Sequence, residues 1–298
     1  MGKGRTKERQ SGGGRATNAP RAGRAFVPSL VRNRAGSRGN AAVAALADIW
    51  RRLDVREQLN GAIDLVLPRA CVSCERLLSR LDTGIVCGLC WSRLPYLPSP
   101  RCGRCGHPIS SGSCRWCDLL PPFIRAVRSV CWMPVEPASS IVHALKYEGW
   151  AAVATEMAER MSRLAWPRDV VDERAALVPI PLASARKRQR GYNQSALIAS
   201  GLGLRWRIPV WEDVIVRSRE TSSQTRLTPE QRLDNVAGSF RGDDRQLERL
   251  RGAHIVIVDD VVTTAATLNA CAKVLYESGA RIISYVTFGR AHASGDRL

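Results

Sequence analysis

No apolar run in the sequence approaches the ~18 residues of a membrane-spanning helix, which excludes an integral helical membrane protein. The tract over residues 41–47 is apolar but short, and it lacks the cleavage context of a secretory signal. Acidic residues are few: 27 Asp and Glu face 45 Lys and Arg, a net charge of +18 in 298 residues. That imbalance favours a polyanionic partner, either nucleic acid or a phosphate-rich ligand, without choosing between them. No Gly-Lys-Ser/Thr follows a strand, so a Walker-type nucleotide loop is excluded. What remains, 45% hydrophobic and 24% charged, is the composition of an ordinary globular chain of one large or two modest domains.

The positive charge is unevenly spread. Residues 1–40 hold ten Arg or Lys and one acid, half of the net total. This stretch is rich in Gly, Ser, Ala and Asn and has too little apolar surface to offset chain entropy. It reads as a disordered basic tail. Three uses stay open for it: a solvated tail, a nucleic-acid arm, or an Arg-rich transit peptide. Asn40 then caps an expected helix over 41–61, with Leu46, Ile49, Trp50 and Leu53 on one face.

Eight of the ten cysteines form four C-x-x-C pairs: Cys71/Cys74, Cys87/Cys90, Cys102/Cys105 and Cys114/Cys117. Such a turn puts two thiolates on one side of a knuckle, and two knuckles complete a closed tetrahedral zinc site. Four pairs within residues 71–117 therefore read as a double zinc ribbon over 62–121, with one or two structural Zn2+ ions. Sequential pairing is the simplest arrangement; interleaved pairing has the same ligands. A disulfide cluster would need an oxidising compartment, and with no export signal the expected location is cytoplasmic. His107 follows a knuckle and reads as a loop residue. Cys131 and Cys271 sit in apolar segments, as small buried hydrophobes do.

From residue 122 to 298 the periodicity alternates. Strands are expected over 124–133, 176–180, 214–216, 254–258 and 281–288, and helices over 139–148, 151–165, 192–202 and 267–278. Strands alternating with helices argue for a mostly parallel α/β sheet. The informative segment is 255–267, IVIVDDVVTTAAT. A buried strand delivers two acids, then a loop of small and hydroxyl residues, then a helix. The loop and helix N-terminus can wrap a phosphate, while the acids can accept hydrogen bonds from a vicinal diol or hold a Mg2+ complex. Together they describe a ribose 5-phosphate site at the carboxyl end of a sheet.

This segment resembles the phosphoribosyl pyrophosphate signature of type I phosphoribosyltransferases. The resemblance implies that Asp259 and Asp260 meet the ribose hydroxyls, and that Thr263, Thr264, Ala265, Ala266 and Thr267 surround the 5-phosphate. Ala265 stands where the family usually has Gly; if the backbone there needs positive φ, Ala costs about 1 kcal/mol. No carboxylate stands at Thr263, where purine-using members often have Asp, which disfavours a 6-oxopurine substrate.

Pro179, Ile180 and Pro181 lead to Arg186, Arg188, Arg190, Gly191, Tyr192, Asn193 and Gln194. Further on come Gln224, Leu227, Arg232, Asn235, Val236 and Phe240, and upstream stands His143-Ala144-Leu145-Lys146-Tyr147. With the eight cysteines, these are similar to the ComF family, which joins a double zinc ribbon to a type I phosphoribosyltransferase domain and is associated with DNA uptake in natural competence. The resemblance implies phosphoribosyl pyrophosphate with Mg2+ as ligand, Pro179–Pro181 with Arg186, Arg188 and Arg190 as a pyrophosphate loop, and Gln224, Arg232 and Asn235 in a lid. It also implies competence-machinery partners.

Two functional classes follow. One is a transferase, in which cations stabilise a leaving pyrophosphate; no residue stands out as its general base. The other is a non-catalytic nucleotide or single-stranded DNA binding protein, gripping its ligand through the ribbons and basic surface, with Trp91 and Trp116 available to stack bases or to pack a small core.

Overall fold

Strands buried on both faces need apolar residues at nearly every position. Three segments meet that requirement: β1 (Ile124–Met133), β5 (His254–Val262) and β6 (Ile282–Ala291). The computed structural model describes residues 68–79, 82–109, 114–218, 238–243 and 246–292. The tail expected over 1–40, the helix expected over 41–61, and Gln224, Arg232 and Asn235 lie outside the described residues.

With β2 (Arg174–Pro179) these strands form one parallel sheet in the order β1-β6-β5-β2. A short antiparallel pair, β3 (Ile215–Arg217) and β4 (Phe240–Gly242), stands apart from it. Side-chain alternation divides the core between the two faces. Val256 and Val258 join Ile141, Leu145, Met157 and Ile198 on one face. Ile255 and Ile257 join Leu268, Cys271 and Leu275 on the other.

The helices on the first face are α2 (Ala138–Tyr147), α3 (Val153–Ser162) and α6 (Gln194–Trp206); α7 (Ala266–Glu277) covers the second. α3 and α6 approach closely because Gly201 has no side chain: a Cβ there would stand 2.7 Å from the Cβ of Ala158. α4 (Arg168–Glu173) and α5 (Ser184–Arg190) were not expected from periodicity. α5, SARKRQR, buries no residue, so it carries no apolar stripe to read.

The ribbon region joins this α/β body directly. A short helix, α1 (Gly88–Ser92), carries Trp91, and the strand edge at β1 pairs antiparallel with the segment after it. There the Leu97 N–H donates to Val130 O at 3.3 Å and the Trp132 N–H to Pro95 O at 2.8 Å. All described residues belong to one compact unit beginning at Gly61. No helix among them is long and apolar enough to cross a membrane.

Candidate ribose–phosphate site and zinc centres

The cysteines pair sequentially. Cys71, Cys74, Cys87 and Cys90 converge in one cluster and Cys102, Cys105, Cys114 and Cys117 in another, with all sulfurs of a cluster within 4.8 Å of one another. A tetrahedral site with Zn–S near 2.3 Å has S–S edges of about 3.8 Å. The Cys71–Cys90 and Cys74–Cys87 separations are both 3.8 Å, and Cys102–Cys117 and Cys105–Cys114 are 3.5 and 3.2 Å. The donor set and spacing fit two structural zinc ions. Burial raises the Cys71 thiol, but N–H groups of Cys87, Ser73 and Cys74 outweigh it and bring it down to about 7. Cys102 is brought to about 7 in the same way, by the N–H groups of Cys105 and Arg104. Knuckle amides thus favour the thiolate at Cys71 and Cys102, whereas burial and the neighbouring thiols raise Cys90, Cys105 and Cys117, which a bound cation would have to deprotonate.

The ribbon tryptophans are packing residues, the second of the two roles left open for them by the sequence. Trp91 is 6% exposed and Trp116 5%. Trp91 donates from Nε1 to Glu156 Oε2 at 2.9 Å and meets the Phe288 ring edge-on at 6.2 Å. Trp116 lies between the stacked ring of His107 and the guanidinium of the buried Arg290. His107 stays outside both metal clusters, and Cys131 and Cys271 are fully buried.

At the carboxyl ends of β2 and β5 a cavity of about 390 Å³ opens. It is lined by Asp259, Asp260 and residues 263–267, by Ile180, Pro181 and Arg186 from the loop after β2 and from α5, and by Lys146, Gln194 and Arg217. The two acids lie within β5, which runs four residues past the expected strand end. Their register is fixed by pairing, Asp259 standing opposite Thr287 of β6.

The acids differ in surroundings. Asp259 Oδ1 accepts from Ser195 Oγ at 2.8 Å and from the Asp260 N–H at 2.9 Å. Ser195 is placed by the start of α6, where Asn193 Oδ1 caps the Ser195 N–H and Asn193 Nδ2 donates to Ile180 O at 3.0 Å. One asparagine therefore couples the β2 loop to the acid. Asp260 is 3% exposed and pairs through Oδ1 with Lys146 Nζ at 2.7 Å, while its Oδ2 is buried without a partner. Burial and the Asp260 charge push the Asp259 carboxyl up to about 7, against the pull of Lys146 and Ser195. Burial works to lower the Lys146 ammonium, but the charges of Asp260 and Asp259 win and hold it above the ordinary lysine value.

Ala265 adopts φ +60 and ψ 6, so the condition under which Ala carries a cost at this position is met, and it precedes the first turn of α7. The first-turn amides of a helix have no intrahelical acceptors and, with the helix dipole, favour an anion.

Of the residues assigned to a pyrophosphate loop, Ile180, Pro181 and Arg186 line the cavity. Pro179 is buried in β2, Arg188 is exposed on α5, and Arg190 packs its guanidinium 5.4 Å from the Tyr147 ring centroid. Lys146, Ser195 and Arg217 were given no role from sequence. The only signal for Lys146 was its place in the His143–Tyr147 motif.

Residues 62–120 match the double zinc ribbon domain and residues 189–297 the phosphoribosyl transferase domain. "DNA utilization protein YhgH" of Escherichia coli is 32% identical over 231 residues, 74% of this chain and 96% of that one. "Competence protein F" of Haemophilus influenzae is 26% identical with the same coverage. "Competence protein ComFC" of Bacillus subtilis is 28% identical over 65% of this chain and 79% of its own. Two cysteine clusters, a phosphoribosyltransferase domain over the sheet's carboxyl edge, and a match across 96% of the first two of these relatives place the chain in the ComF family of competence and DNA-utilization proteins.

Proposed function

We propose that the cavity binds phosphoribosyl pyrophosphate with Mg2+ and supports phosphoribosyl transfer, in a cytoplasmic protein that serves DNA utilization as its relatives' names describe. The observation that carries this reading is the buried, unpartnered Oδ2 of Asp260 beside Asp259, one short loop away from the left-handed Ala265 and the N-terminus of α7. A buried carboxylate oxygen without a donor is costly, and a ribose hydroxyl supplies the missing hydrogen bond. The 5-phosphate then falls to the amides and hydroxyls of 263–267.

In this assignment Asp259 and Asp260 orient the ribose, and Lys146 and Ser195 hold the two carboxylates in place. Arg186, with Ile180 and Pro181 beside it, takes the pyrophosphate side and stabilises the charge that develops as C1 loses its leaving group. Mg2+, when bound with the diphosphate, would supply further charge neutralisation there. The two zinc ions are structural: all eight sulfurs are consumed within closed clusters.

Calorimetry with phosphoribosyl pyrophosphate and Mg2+ tests the reading. Each Asp→Asn exchange at 259 and 260 removes charge-assisted hydrogen bonds of roughly 1.5–3 kcal/mol, so binding should weaken about tenfold or more per site. Equal affinity in the double variant overturns it.

A further inference from the structure

Two large side chains stand open to solvent at the C-terminal end of α2: Tyr147 is 67% exposed and Trp150 46%. Neither lines the cavity, although Lys146, the residue before Tyr147, reaches into it. The turn that presents them is fixed. Gly149 takes φ +79, and the Trp150 N–H bonds back to Ala144 O at 3.2 Å. Tyr192 Oη donates to Leu145 O at 2.6 Å, tying the residues after α5 to the same turn.

α5 supplies charge beside these rings. Arg190 faces Tyr147 and donates to Gln194 Oε1 at 2.5 Å. Lys187 and Arg188 are exposed on the same helix, and Arg186 turns to the cavity. The acid on this face, Glu148, is taken up by His143 Nδ1 at 2.9 Å. Exposed rings alone would suit an apolar protein partner. Here the neighbouring helix offers no apolar surface and four cations in seven residues, which suits a ligand with flat bases and a phosphate backbone.

We propose that Tyr147 and Trp150, with Lys187, Arg188 and Arg190, form a binding face for single-stranded nucleic acid. Bases stack on the two rings and phosphates run along α5. Duplex bases are already stacked and paired, so the rings select an unpaired strand. The face uses neither Asp259, Asp260 nor residues 263–267, and it stands or falls independently of the ribose–phosphate reading.

Fluorescence anisotropy on the full-length, zinc-replete protein tests it, with labelled oligothymidine, oligouridine and a DNA duplex as probes; the first two identify the sugar. Single strands should bind more tightly than duplex. Tyr147→Ala should weaken single-strand binding about tenfold, whereas Tyr147→Phe keeps the ring and the affinity. Lys187→Ala with Arg188→Ala should reduce the slope of log affinity against log salt by about 1.4, two phosphates at about 0.7 each. All these side chains are exposed, so zinc content and thermal melting should match the parent protein. No binding, duplex bound as tightly as single strands, or unchanged affinity in both Tyr147→Ala and the double variant overturns the proposal.

Discussion

Replacing Lys146 with Met removes the cation from a carboxylate that is 3% exposed and 2.7 Å from its ammonium. Breaking a buried pair from one side costs about 3–5 kcal/mol, because the remaining charge is left uncompensated. A proton sets a ceiling on that loss. The carboxylate pair already holds Asp259 near 7, and a second proton on the pair replaces the missing ammonium. At pH 7 taking it costs about 1.4 kcal/mol for each unit above the ordinary Asp value near 3.9, or about 4 kcal/mol; at pH 5.5 it costs about 2. The direction follows from linkage. The variant's folded state holds a proton that the unfolded chain releases, so its stability falls as pH rises. Urea unfolding of parent and Lys146→Met should therefore differ by about 3–4 kcal/mol at pH 7 and about 2 at pH 5.5. Adding Asp260→Asn should recover part of the loss, since the orphaned charge is gone. A difference independent of pH, or strict additivity in the double variant, refutes the assignment of Lys146 as the counter-charge of this site.

Protein purified without added metal should carry two zinc ions per chain by elemental analysis; less than half an equivalent, with free or oxidised thiols, contradicts the ribbon assignment. His254 has a fully buried side chain, with Nε2 3.0 Å from Ser284 Oγ. Burial pushes it down to about 4, against the pull of Glu173. The unfolded chain binds that proton first, so this group's contribution of about 3 kcal/mol is present above pH 6.5 and lost as pH falls through 4. His254→Gln should flatten that acid limb in urea titrations, and an unchanged limb refutes it. Ala265→Gly should leave stability within about 0.5 kcal/mol, because relief of the left-handed strain of about 1 kcal/mol is offset by the entropy Gly adds to the unfolded chain. A loss of about 1 kcal/mol or more, as Gly causes in ordinary backbone, contradicts the positive φ.

The parts legible in the sequence were those encoded locally. Four C-x-x-C knuckles declare their ligands because each pair lies within one turn, and the acid–loop–helix run from Ile255 to Thr267 is contiguous. The departure at Ala265 raised the question of a positive φ there, and the backbone answers it at φ +60. What escaped depends on long-range packing. Lys146 and Arg217 reach the cavity from α2 and β3, Ser195 bonds Asp259 from α6, and no spacing rule links them to the acids. The ribbon tryptophans looked available until Glu156 and Arg160 of α3 were seen to engage Trp91. α5 was read as part of a basic loop because a helix with no buried residue leaves no periodic trace.

The central claim is that Asp259, Asp260 and the 263–267 loop form one ribose–phosphate site. A crystal structure of the protein with phosphoribosyl pyrophosphate and Mg2+ tests it most directly. The account predicts the ribose hydroxyls on the two carboxylates, Asp260 Oδ2 among their acceptors, the 5-phosphate within the 263–267 loop at the start of α7, and the diphosphate toward Arg186. Ligand bound elsewhere, or a phosphate lodged on the exposed cations of α5 with the acids untouched, would contradict it.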